Sequence, residues 1–114
     1  MRRFYSEPRD PEREARGRKI EYAAKRQKYS TIISATLKEA RDLYGSLKSE
    51  GTMEGMYNEE IFVFFGEGEI VRFSNLVSCQ LTPIVTVELT DKVTPEIAEK
   101  VKKALSGKTE ELRE

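Results

Sequence analysis

The chain has no histidine and no tryptophan, one cysteine and no long apolar run. Without histidine the usual general base is missing, and the common metal sites lose their commonest ligand. Cys79 has no Cys or His companion for a metal cluster or an activated nucleophile, so it reads as a buried structural thiol in a reducing interior. No run approaches the roughly 18–20 apolar residues that span a bilayer, and MRRFYSEPRDPE lacks the apolar core of a signal peptide. No Gly-rich loop feeds a helix, so both nucleotide-binding fingerprints are missing as well. The expectation is a cytoplasmic protein that is not an enzyme, needs no cofactor or metal and touches no membrane.

What is present is charge. Of 114 residues, 35% are charged and 38% hydrophobic, enough for a single core. Scarce amides and an excess of Glu over Asp fit a thermophilic prokaryote, where ion-pair networks replace labile side chains. The net charge is zero, yet residues 1–48 hold 13 Lys/Arg against 7 Asp/Glu, and residues 49–114 hold the reverse, 7 against 13. A basic front half can attract an anionic polymer, or it can satisfy the acidic half of the same chain or of a second copy.

Residues 1–9 read as a flexible basic segment, 10–107 as one α+β domain and 108–114 as a charged tail. Asp10-Pro11-Glu12 starts a helix, with Asp as cap, Pro in the first position and Glu at the positive end of the dipole. It runs to about Lys28 with a thin apolar stripe, Ile20, Ala23 and Ala24, and reads as solvated or partner-facing. Ile33, Leu37, Ala40, Tyr44 and Leu47 recur at steps of four and three, which predicts a second helix from Ser30 to Ser49. The rival is a short β-branched strand at 29–33 with the helix starting near Ala35. Residues 53–65, 69–76 and 79–90 read as strands, the first interrupted near Asn58, with Pro83 at an edge or bulge. Thr94-Pro95-Glu96 opens a last helix. The fold expected is α+β, with two N-terminal helices and one C-terminal helix packed on a small antiparallel β-sheet.

The stretch IFVFF, residues 61–65, is apolar without alternation, so both faces of its strand need a cover. A three-residue loop Gly66-Glu67-Gly68 with Gly68 left-handed pairs Phe64 with Ile70 and Phe62 with Arg72. That register places Ile61, Val63, Phe65, Val71 and Phe73 on one face, with Val85, Val87 and Leu89 as further core. Phe62, Phe64, Ile70, Arg72 and Ser74 fall on the other. A two-residue turn would separate Arg72 from the phenylalanines. The second face is open to three readings: core beneath a helix, a self-association surface, or a platform on which bases stack while arginine meets phosphate. For the platform, the basic partner comes from the first helix, where Arg18, Lys19, Lys25 and Arg26 are interleaved with Tyr22 and Tyr29. Glu59, Glu60, Glu67 and Glu69 would repel phosphates at the hairpin ends.

EYAAKRQKYSTIISATLKEARDLYG (21–45) followed by EIFVFFGEGEIVRFSN (60–75) resembles, in layout and composition, the archaeal ThermoDBP family of single-stranded DNA-binding proteins. The resemblance spans about residues 10–105. It implies a cleft between helices and sheet, with contacts from Phe62, Phe64 and Arg72 together with Tyr22, Lys25, Arg26 and Tyr29. Residues 96–114 offer little more than two heptads, so the C-terminal zipper known in that family has no counterpart here and a homodimer would need another surface. The function expected is sequence-tolerant binding of single-stranded nucleic acid. The alternative is a non-enzymatic homodimeric or partner-binding module whose second apolar sheet face is a protein interface.

Overall fold

The computed structural model describes residues 10–76, 84–107 and 109–111. The Asp10 carboxylate accepts from the Glu12 N–H at 3.0 Å and opens helix α1, Pro11–Lys25. The helix stops short of Lys28 because the N–H groups of Arg26 and Gln27 both turn back to the Tyr22 carbonyl.

The second helix does not begin at Ser30. Residues Thr31–Thr36 form strand β1, and helix α2 covers Leu37–Lys48. Ser30 donates its N–H to the Leu89 carbonyl, and the start signal for α2 is Thr36-Leu37-Lys38-Glu39, a reciprocal capping box. The β-branched run favours the strand. Ile33 and Leu37 happen to sit four apart, so helical spacing continues in the sequence across a break in the structure.

Four strands follow: β2 (Met53–Tyr57), β3 (Glu60–Gly66), β4 (Glu69–Ser74) and β5 (Ile84–Leu89). The interruption near Asn58 is a two-residue hairpin turn, with Asn58 and Glu59 both left-handed at φ 49° and 67°. The expectations for Cys79 and Pro83 lie outside the described residues. Thr94 caps helix α3, Pro95–Ala104, by accepting from the Ile97 N–H. The expected tail contains a short strand, β6 (Thr109–Glu111), paired with β1. A side chain at Gly107 would meet the Ser34 carbonyl oxygen at 1.6 Å, so only a bare backbone lets the chain return so close to β1.

Among the described residues six strands form one antiparallel sheet in the order β2-β3-β4-β5-β1-β6. The β3–β4 register is the one the three-residue loop predicts: Ile61 faces Phe73, Phe62 faces Arg72, Val63 faces Val71 and Phe64 faces Ile70. The turn itself differs from that loop: Gly66, in place of Phe65, pairs with Glu69, so the register shifts between Phe64 and Gly66 and the turn is Glu67-Gly68, with Gly68 at φ 74°. Helices α1, α2 and α3 divide between the two faces. Ile33, Val63, Val71, Phe73, Val85, Val87 and Leu89 form the main core with Ala40, Leu43 and Leu47 of α2 and Val101 of α3. Tyr44 meets Phe73 edge-on at 5.7 Å. Ser106, just after α3, donates its hydroxyl (2.6 Å) and its N–H (3.2 Å) to Glu39. The Ser106 hydroxyl, then the Thr36 N–H, hold that carboxyl below its ordinary range. The other face lies under α1.

Candidate nucleic-acid interface

The alternation of β3 and β4 sets Phe62, Phe64, Ile70, Arg72 and Ser74 side by side, and α1 covers the first three. Ala23 is fully buried against Phe62, Phe64, Ile70 and Tyr29, with Ile20 and Ala24 beside it. Ile20 lies directly on the backbone of β2, where a Cβ at Gly55 would come within 2.1 Å of its Cδ1. The thin stripe is therefore sufficient: alanines let the helix lie close to the rings, and glycine leaves room for the isoleucine.

This closure corrects the expected platform. Phe62 is 0% exposed and Phe64 7%, so both rings are core in this arrangement and neither is presented for stacking. Arg72 is engaged as well. Its Nε donates to Glu88 Oε1 at 2.9 Å, Nη2 contacts Glu88 Oε2, and Glu60 lies 3.7 Å away. The guanidinium sits 4.0 Å from the centre of the Tyr29 ring. Burial works against its charge, but the hydrogen bonds and charge of Glu88, with Glu60 and Tyr29, raise its pKa further. Ser74 completes the cluster by donating toward Glu60 and Glu88. Two carboxylates and an aromatic face already satisfy the arginine, which leaves it little to offer a phosphate.

Tyr29 belongs to the same closure. Its hydroxyl donates to the Ala23 carbonyl at 2.9 Å, and burial pushes its pKa well above the usual tyrosine value. Lys25 and Arg26 are exposed at the far end of α1, where Lys25 Nζ sits 5.5 Å from the centre of the Tyr57 ring. The hydrogen bond and charge of Tyr57 raise the Lys25 pKa.

The remaining three predicted residues do converge. Ala15, Arg18, Lys19 and Tyr22 recur at helical spacing along α1 and form one wall of a cleft of about 750 Å³. Its floor comes from Met53, Phe64 and Ile70, and its far side from the hairpin tip Gly66-Glu67-Gly68 and from Lys92. Tyr22 is 56% exposed, so its ring is free to receive a flat partner. The cleft has the size of a ligand site, with an apolar base, cations on both sides and a single acid, Glu67. Sequence reasoning missed Gln27, two residues past the end of α1, and Lys92 and Met53, which the fold brings in from other segments; Met53 carried a weak signal as the first inward residue of an edge strand.

Among the described residues no group of His, Cys, Asp and Glu could hold a metal ion, and no helix is long and apolar enough to cross a membrane. No protein-family model, curated protein or solved structure matches the chain.

Proposed function

We propose that the protein binds single-stranded nucleic acid, without strong sequence preference, in the cleft between α1 and the β3–β4 hairpin. The observation that carries this reading is the exposed Tyr22 ring, one helical turn along the cleft wall from Arg18 and Lys19 and above an apolar floor. Every base has a π-face, so an aromatic side chain stacks on any of them, and flanking cations follow the backbone. It is also the activity that the resemblance to the ThermoDBP family implies. The platform residues are replaced in this proposal: Phe64 serves as floor, Phe62, Arg72 and Tyr29 as the frame that holds α1, and Lys25 and Arg26 extend the basic rim beyond the cleft.

The test is fluorescence anisotropy with labelled oligo-dT and a matching duplex, at low and high salt. Binding that prefers the single strand and weakens as salt rises supports the cleft. Absence of binding at low salt overturns it.

A second reading, a homodimeric or partner-binding module, has support from another part of the same sheet face. Ile84 on β5 is 66% exposed, and on β1 Thr36, opposite it, and Ser34, opposite Thr86, are exposed too. Sedimentation at high micromolar concentration tests the self-association form, and a strict monomer counts against it.

A further inference from the structure

We propose that Lys92 is the phosphate-contacting residue on the far wall of this cleft, so that a bound strand is held by cations on both sides of its stacked base. The inference rests on the cleft reading and adds what the helix alone cannot supply.

Lys92 lies in the turn between β5 and α3, more than sixty residues from the basic helix in sequence. Thr90 brings it to the cleft. The Thr90 hydroxyl accepts from the Ile70 N–H at 3.2 Å and donates to the Gly68 carbonyl, and its own N–H donates to the Ile70 carbonyl at 3.2 Å. Three hydrogen bonds thus tie the start of the turn to the hairpin tip. The side chain then crosses Gly68 so closely that a Cβ there would lie 2.9 Å from Lys92 Cδ and 3.8 Å from Nζ. Glycine at 68 meets two needs at once, the left-handed φ of the hairpin loop and the passage of this lysine.

No described residue claims the charge. Among the described residues Lys92 has no ion pair or hydrogen bond, while other cations such as Arg72, Lys38 and Lys100 are matched with carboxylates. Its ammonium stands by the hairpin tip that carries Glu67, the acid that would otherwise repel phosphate at this end. Arg18 and Lys19 occupy the α1 wall, and Lys92 answers them from the other.

The experiment compares wild type, Lys92→Ala, Lys92→Glu and Lys92→Arg by oligo-dT anisotropy over a salt series. For a single strand each phosphate contact contributes about 0.7 to the slope of log affinity against log salt. Lys92→Ala should lower affinity about three- to tenfold at low salt and flatten the slope by about 0.7. Lys92→Glu should lose more, and Lys92→Arg should keep the slope. Because Lys92 is exposed, melting temperatures should not change. If wild type binds while Lys92→Ala and Lys92→Glu match it in affinity and slope, the assignment is overturned and the cleft reading stands. If wild type itself binds no single strand, both are overturned.

Discussion

The two faces of the sheet are closed in different ways. Under α2 and α3, large side chains meet from both sides: Leu43, Leu47 and Val101 against Phe73, Val85 and Val87. Under α1 the sheet supplies the bulk, Phe62, Phe64 and Ile70, and the helix supplies chiefly Ala23, Ala24 and Ile20. Beside that second core stands a half-buried ion cluster, Arg72 with Glu88 and Glu60, and below it the cleft opens. A helix with a narrow stripe can shield rings without filling all the space to the hairpin tip. An aromatic residue on a strand thus becomes core or contact according to the element that covers it. Phe62 is core because Ala23 lets α1 come down; Tyr22, one residue earlier on the same helix, points away from that contact and is free.

The largest effects should come from breaking either core. Phe73→Ala and Phe62→Ala should each cost about 3–5 kcal/mol in urea unfolding, since both rings are fully buried. Equal costs would put the two faces on the same footing. A cost for Phe62→Ala under about 1 kcal/mol would mean that α1 is only loosely seated and that the rings are available after all.

Among the described residues such a half-buried ion cluster stands on the α1 face alone. Glu88→Ala removes both direct contacts to Arg72 and leaves the guanidinium with Glu60 at 3.7 Å and the Tyr29 ring. Breaking a buried pair costs about 3–5 kcal/mol, and the surviving partners should reduce this to about 2–3 kcal/mol. Glu88→Gln, which keeps one acceptor, should lose less. Chemical denaturation of both variants measures the difference, and identical losses would remove the role assigned to the charge.

Much of this arrangement was legible in the residues. The Gly66-Glu67-Gly68 stretch marks the hairpin, and the register expected from it sorts Phe62, Phe64 and Arg72 from Val63, Val71 and Phe73 as the structure does, although the shift falls before Gly66 and the turn is two residues long. Caps at Asp10 and Thr94 mark two helix starts. The start of α2 is harder to read, because Ile33 extends the helical spacing backwards across β1; the β-branched run Thr31-Ile32-Ile33 favours the strand, and the Thr36–Glu39 capping box marks where the helix begins. The cleft was less legible. Arg18, Lys19 and Tyr22 share a helix face that spacing reveals, but Lys92 reaches them through hydrogen bonds of Thr90 to the hairpin, and no local pattern encodes such a contact. Nor does composition tell which of two aromatic sets a helix will cover; that depends on Gly55 and Ala23 fitting together.

Tyr22 and Phe64 form the pair that separates contact from core within the cleft. Tyr22→Ala should weaken oligo-dT binding by about 1–3 kcal/mol. It should leave unfolding within about 0.5 kcal/mol, because the ring is more than half exposed. Phe64→Ala should instead destabilise the fold, and any loss of binding should follow from that. Affinity unchanged by Tyr22→Ala in a folded protein would remove the stacking role.

The smallest effect belongs to Tyr29, which joins the two parts of the α1 face: its hydroxyl holds the helix at Ala23 and its ring lies under Arg72. Burial raises its pKa first; the nearby Glu88 and Glu60 raise it further, and Arg72 opposes them. In the unfolded chain tyrosine loses its proton near pH 10, whereas the folded protein keeps it. The unfolded state therefore binds fewer protons above that value, and stability must fall as pH rises past about 10, having been fully present below it. Tyr29→Phe deletes the titrating group together with one hydrogen bond. At neutral pH it should cost about 1 kcal/mol. Across the alkaline range its stability should decline less steeply than that of wild type, so the two unfolding curves should converge as pH rises. Parallel curves would mean that Tyr29 ionises in the fold as readily as in water, and that the α1 face is wetter than the main core by more than its cleft.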